Sequence, residues 1–240
     1  MLMKKINVIS SAKYVDAYSI AGTVPVVIDV LRATTVMITA FEYGVKEIIP
    51  VLSPDEALEI KGRLDENVLL GGERDAELIP GFDLDNSPFS YMSDFIKDKT
   101  LVMTTTNGTS AIRAAAAAGD VLIASFRNAG AIAERLRNTV GITLICSGTN
   151  GNYTLEDGLC AGYIIDMIKN YDDVELTDFA ELVYSFYNSS KESIQDAASR
   201  AKHYKVLKNK GFENDLEYCF RTDESSIIPV YSNGVIKKQA

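Results

Sequence analysis

The sequence predicts an α/β protein, a three-layer α/β/α arrangement around a mixed, largely parallel central sheet. Three observations point there. Short runs of Val, Ile and Leu alternate with helical patterns from Lys5 to Cys146. Several of those runs are apolar throughout, as strands covered on both faces are. Apolar residues make up 47% of the 240 positions, enough to bury a large core as a single domain, 1–240, with a mostly helical section at about 156–210.

The expected strands fall at 5–9, 25–29, 46–51, 67–70, 99–104, 120–124 and 141–146. Helices are expected at 34–43, 54–64, 107–118 and 129–137. Ser53 with Pro54 behind it and Glu56 three residues on marks the start of the second helix. The run Ala114 to Ala118 predicts a helix packed closely on the sheet. After Cys146 comes a Gly- and Asn-rich loop, then helical sequence to about residue 210, where Tyr184, Phe186 and Tyr187 are expected to pack against the sheet. Ser226 to Val230 with Pro229, followed by Val235-Ile236, predicts a strand returning to a sheet edge, where proline is tolerated.

A formal charge of -9 argues against a broad nucleic-acid or anionic-membrane surface, so an anionic substrate must find local positive charge. No apolar run approaches the roughly 20 residues of a bilayer span, and Met1 to Ser11 lacks the features of a signal peptide. A cytoplasmic protein is expected. Cys146, Cys160 and Cys219 are far apart without C-x-x-C spacing, which fits reduced thiols. The lone histidine, His203, lies in a Lys-rich helical segment and is expected to be exposed, which disfavours histidine-based phosphatase, Ser-His-Asp and two-histidine metal mechanisms.

One layout is written twice. Val26-Val27-Ile28-Asp29 ends an apolar strand and runs through Arg32, Ala33, Thr34 and Thr35 into a helix closing at Gly44. Val102 to Gly119 repeats it without a gap, with Thr104 at the Asp29 position, Asn107 at Arg32, Gly108 at Ala33, Thr109 at Thr34 and Ser110 at Thr35. Identity between the copies is thin, so two unrelated strand-to-helix turns would look much the same. Either way, helix N-termini at strand ends offer unpaired N–H groups to an anion.

Four segments carry candidate chemistry. Asp29 can hold a metal or act as a nucleophile, and Arg32 can fork onto phosphate or sulfonate oxygens; a structural Asp29/Arg32 ion pair is the plainer alternative. A haloacid-dehalogenase-type phosphatase would show Asp-x-Asp here, and Leu31 at the second position removes its general acid. Thr104 to Thr109, with Thr106, Asn107 and Gly108 at the helix entry, reads as an oxyanion cradle and matches neither a Walker loop nor a dinucleotide fingerprint. The long loop from Gly71-Gly72-Glu73-Arg74-Asp75 to Pro88 is rich in carboxylates. Cys146-Ser147-Gly148 is followed by Glu156-Asp157, paired carboxylates able to hold Mg²⁺ or move protons. Cys146 is set aside as a nucleophile, because a cysteine phosphatase needs arginine where Asn152 stands.

Together, "VIDVLRATT", "GGER" with "IPGFDLDNSP", "TTTNGT", the Cys146-Ser147-Gly148 loop with Glu156-Asp157, and the closing "DLEYCFRTD…IIPV" resemble the 2-phosphosulfolactate phosphatase family. The resemblance covers most of the chain, except the helical stretch from about 165 to 210. It implies a Mg²⁺-dependent phosphatase that cleaves (2R)-2-phospho-3-sulfolactate to 3-sulfolactate and phosphate, in coenzyme M biosynthesis, on an α/β/α fold. Under that reading Mg²⁺ sits on Asp29, Glu73 and Asp157; Arg32 and Arg74 meet the anionic groups. Thr34, Thr35, Thr106 to Thr109, Ser147 and Gly148 line the substrate. A phosphatase for a related phospho-hydroxy acid, a non-catalytic sensor, and a lyase or isomerase remain as alternatives. A symmetric dimer is the base-rate expectation.

Overall fold

The structure, a computed structural model, describes residues 3–64 and 67–239; Met1 and Leu2 of the N-terminal segment lie outside them. In chain order the elements are β1 (Lys4–Ile9), β2 (Val24–Ile28), α1 (Ala33–Glu42), β3 (Glu47–Pro50), α2 (Pro54–Arg63), β4 (Val68–Arg74), β5 (Glu77–Leu78), β6 (Thr100–Thr104), α3 (Gly108–Ala115), β7 (Val121–Ala124), α4 (Ala129–Arg135) and β8 (Gly141–Cys146). There follow α5 (Leu155–Lys169), β9 (Val174–Leu176), α6 (Asp178–Ser190), α7 (Ile194–Ala198), α8 (Lys202–Asn209), α9 (Glu213–Cys219), β10 (Pro229–Ser232) and β11 (Val235–Lys238). Each of the seven expected strands and four expected helices is present; β4 runs on to Arg74, four residues past its expected end, and the ends of the other strands and of the helices shift by no more than two residues. α3 is the exception: it stops at Ala115, and a short 3-10 turn carries Ala116–Ala118 to Gly119. Within the alanine run only Ala115 is fully buried, so most of that run does not lie on the sheet.

Among the described residues the strands form one sheet in the order β5-β4-β6-β3-β11-β10-β7-β2-β8-β1-β9. β4, β6 and β3 are mutually parallel, as are β7, β2, β8, β1 and β9. The β10–β11 hairpin joins these two blocks, antiparallel to both. About the hairpin turn the inner strands match in pairs, β11, β3 and β6 on one side and β10, β7 and β2 on the other. The path β2–α1–β3 crosses from the larger block to the smaller, and β6–α3–β7 crosses back, so the pattern written twice in the sequence is related by a pseudo-twofold axis between β10 and β11. Sheet twist of roughly 20–25° per strand, accumulated from β2 to β6, swings the carboxyl ends of these two strands towards each other.

The hairpin corrects one expectation, because Pro229 and Val235-Ile236 lie at the centre of the sheet and not at its edge. Two parallel blocks of opposite direction would each expose an unpaired edge, and one hairpin satisfies both. Pro229 is tolerated as the first residue of β10. Asn233 and Gly234, with φ of 50° and 91°, make the two-residue turn that suits the strands' twist.

Helices cover both faces. Val26 and Ile28 of β2 face a layer built from α4, α5 and α6, whereas Val27 between them packs with Val36 and Met37 of α1 and Ile112 of α3. α2 covers the smaller block through Ala57, against Leu70 and Val102. α6 lies over α5, where Tyr187 meets Tyr163 with ring centroids 5.6 Å apart. Its aromatics therefore pack chiefly on a helix, not on the sheet. No helix among the described residues is long and apolar enough to cross a membrane.

Ile236 is fully buried between the two blocks. Ile236→Ala is expected to cost about 2–5 kcal/mol in urea unfolding; a loss under about 1 kcal/mol would be the signature of an edge position.

Candidate active site

Asp29 follows the last residue of β2, at the carboxyl edge of the larger block. The turn beyond it is braced from inside. Thr34 Oγ1 donates to Asp29 O (2.8 Å) and accepts from Asp29 N–H (3.0 Å), and Thr35 Oγ1 donates to Val30 O (2.9 Å). In the second copy Thr109 Oγ1 donates to Thr105 O (3.1 Å) and accepts from Thr105 N–H (3.2 Å). Arg32 and Asn107 occupy the same position ahead of their helices, as the alignment of the copies expects. The N-termini of α1 and α3 then meet. A Cβ on Gly108 would stand 2.5 Å from Ala33 Cβ and 2.6 Å from Asp29 Oδ2, so only glycine lets α3 begin against the Asp29 carboxylate.

Three further carboxylates crowd this point. Asp157, in the first turn of α5, accepts from Val30 N–H (2.9 Å), Gly148 N–H (3.1 Å), Thr154 Oγ1 (2.8 Å) and Ser147 Oγ (3.3 Å). Ser147 and Gly148 thus hold Asp157 and do not line the open space. Glu73 accepts Thr106 N–H and Ala76 N–H, both at 2.8 Å, tying the β4–β5 turn to the entry of α3. Gly72 allows this approach: with φ +138°, a Cβ there would lie 1.9 Å from Thr104 O. Glu156 is buried with Oε2 lacking any partner among the described residues.

A cavity of ≈ 590 Å³ opens in front of Asp29 and Glu73. Of the residues singled out in the sequence, Asp29, Arg32, Glu73, Thr106 and Asn107 line it; Thr34, Thr35, Gly108, Thr109, Ser147, Gly148 and Asp157 form the shell behind. Arg74 is placed elsewhere. Its guanidinium donates to Glu73 O (2.7 Å), Leu52 O (3.3 Å) and Thr104 Oγ1 (2.9 Å), bracing β4 against β6.

Arg32 forms no ion pair with Asp29. It donates to Asp215 Oδ2 of α9 (2.5 Å) and lies over the Phe212 ring at 4.1 Å. Asp215 is itself held by Ser87 Oγ (2.9 Å), so one guanidinium nitrogen is anchored while Arg32 still borders the cavity. The acidic loop 79–88 is mostly self-contained: Asp83 takes Lys61 and Leu70 N–H, and Asp85 takes Ser87 N–H and Ser90 Oγ. Asn86 from that loop does reach the cavity, buried and with Oδ1 lacking a partner among the described residues.

The far wall was not foreseen from sequence. α8 contributes Lys202, His203, Val206 and Leu207, with Lys210 just beyond it. His203 is half-buried, not exposed, and its Nε2 lies 2.9 Å from Leu31 O. Lys210 donates to Asp75 O (2.7 Å) and Glu77 (2.6 Å), fastening this wall to the β4–β5 turn. No local motif marks these residues; only their tertiary placement does. "DLEYC" carried the one available signal, Asp215.

The charge balance across the cavity is uneven. Burial, then Asp157, push the Asp29 carboxyl from an ordinary 3.8 up to about 8, with Ser147 and Ala33 N–H partly offsetting this. Burial and Asp157 likewise push Glu156 up to about 8, and Asp157 is itself raised by burial. Among the described residues no group of three or more His, Cys, Asp or Glu forms a cage for a metal ion. The folded protein therefore binds a proton at Asp29 more tightly than the unfolded chain does, so this contribution to stability is full below pH ≈ 3.8 and lost as pH rises through about 8. Asp29→Asn, in EDTA, is expected to melt at least about 2 °C above wild type at pH 9 and close to it at pH 4. Parallel melting curves across that range would contradict the account.

The family model for 2-phosphosulpholactate phosphatase matches residues 9–234. A Clostridium perfringens (strain SM101 / Type A) protein named "Probable 2-phosphosulfolactate phosphatase" is 44% identical over 237 residues, covering 97% of this chain and 96% of that one. Proteins of the same name from Clostridium novyi (strain NT) and Clostridium tetani (strain Massachusetts / E88) are each 43% identical, covering 98% and 97% of this chain and 100% and 99% of theirs. The motifs that meet at the cavity lie within this match, and the chain belongs to the 2-phosphosulfolactate phosphatase family.

Proposed function

We propose that the protein is a phosphoric monoester hydrolase that releases phosphate from 2-phospho-3-sulfolactate, with Mg²⁺ as its cofactor. The observation that carries this reading is the meeting of two helix N-termini and the Asp29 carboxylate at one point, with Arg32 on the same cavity. Thr106 and Asn107, at the entry of α3, line the cavity and offer a hydroxyl and an amide to phosphoryl oxygens, the helix N-termini behind them add a favourable field, and an anchored arginine suits a further oxoanion. The cavity, at ≈ 590 Å³, has room for a small ester carrying phosphate, carboxylate and sulfonate. The pathway that the resemblance implies, coenzyme M biosynthesis, belongs to the same proposal.

The donor set suits Mg²⁺, which takes one or two carboxylates and completes its shell with water and substrate oxygens. Asp29 is the natural ligand: it accepts a single backbone N–H, at 3.3 Å from Ala33. Glu73 borders the same space with each oxygen already accepting one N–H. Asp157, with four donors, fits a supporting role behind Asp29. A cation here would neutralise phosphoryl charge and relieve the crowding of carboxylates. The chain's own residues then divide the work: Thr106 and Asn107 orient the phosphoryl group, Arg32 holds an anionic group of the substrate, and Glu73 fixes the α3 entry.

Uncatalysed hydrolysis of phosphate monoesters is among the slowest of biological reactions, so charge neutralisation and positioning must both contribute. The test is phosphate release from 2-phosphosulfolactate and from phospholactate, each with Mg²⁺ and with EDTA. Release that needs Mg²⁺, is faster with the sulfonated ester, and falls by about 10³-fold or more in Asp29→Asn supports the reading. Saturable binding without release from either ester would point to a sensor instead.

A further inference from the structure

We propose that His203 is the general acid of the reaction, delivering its Nδ1 proton to the bridging ester oxygen as the P–O bond breaks. The inference rests on the phosphatase reading above.

The alkoxide left by such an ester is a poor leaving group and needs a proton as it departs. The position two residues after Asp29 that would supply one in an Asp-x-Asp phosphatase holds Leu31, whose side chain has no proton to give. The structure brings a proton donor to that same residue from a distant part of the chain. His203, on α8, sits 2.9 Å from the Leu31 carbonyl through Nε2 and borders the cavity with Asp29, Arg32 and Glu73. A carbonyl oxygen only accepts, so Nε2 carries the hydrogen of this bond. Nδ1 is therefore the nitrogen that gains and loses the catalytic proton, and no protein group among the described residues takes it.

The neighbouring titratable groups fit less well. Lys210 is committed to Asp75 O and Glu77, and Tyr153 is pushed further from ionisation by burial. Asp29 and Glu73 stand on the phosphoryl side. Burial, the largest influence, and Arg32 hold the imidazole below its ordinary pKa, with the Leu31 carbonyl and Glu73 offsetting part of this; the incoming anionic substrate adds the stabilisation that the charged, proton-donating form needs. The balance of the step is simple. The ester oxygen keeps the bonding pair and takes the Nδ1 proton, the phosphoryl group passes to the attacking oxygen, and neutral His203 regains a proton from water while Nε2–H stays on Leu31 O.

The experiment compares wild type, His203→Gln and His203→Asn on 2-phosphosulfolactate and on its analogue with sulfur in place of the bridging oxygen. The departing thiolate needs no proton; His203→Gln places its amide nitrogen near the Nε2 position and keeps a donor for the Leu31 carbonyl, whereas His203→Asn places its amide near Nδ1. The expected result is a kcat reduced about 100-fold or more on the oxygen ester and within about threefold of wild type on the sulfur ester, whose turnover also shows that the variants fold. Equal losses on both esters, from misfolding or from a positioning role, would overturn the proposal. If wild type released phosphate from neither ester, the phosphatase reading itself would fail.

Discussion

The constraint on which the rest depends is the contact between Gly108 and the Asp29–Ala33 turn. Two helices of opposite crossovers start against one another there, and the missing Cβ leaves the Asp29 carboxylate in the gap. Bringing them together needs a sheet whose two parallel blocks twist their carboxyl ends inward, and that in turn needs the central hairpin to satisfy both inner edges. Fold and site are thus one problem: a sheet without the hairpin would leave two half-sites apart.

The same geometry creates an electrostatic debt. Asp29, Asp157 and Glu156 are buried close enough that each resists ionisation, and Asp157 is kept in place by four donors from two loops. Such a site is stable when protonated and ready for a cation or for the groups that a substrate brings. Opposite it, α8 and α9 supply a wall fastened through His203 to Leu31, Asp215 and Phe212 to Arg32, and Lys210 to the β4–β5 turn. Carboxyls on one side and arginine and lysine on the other set the direction in which an anionic ester would lie.

Much of this was legible in the sequence because it is written locally. Apolar runs located the strands, the repeated strand-to-helix pattern located both turns, and Gly108 stood out at the entry of the second helix. What escaped is written only in three dimensions. β9 is three residues long and β5 two, too short for periodicity to detect. Pro229 suggested an edge, since no local signal says that two sheet blocks need joining. Arg74 and Arg32 look alike as residues near strand ends, yet one braces backbone and the other borders the cavity. His203 looked like a surface residue because its partner, Leu31, lies 172 positions away.

The central claim is that Asp29 is a buried carboxyl whose charge awaits compensation. Site-specific ¹³C carboxyl titration of Asp29 in metal-free protein tests it most directly. The account predicts a titration at about 8 that moves downward when Mg²⁺ is added. A titration near 4, indifferent to Mg²⁺, would contradict it.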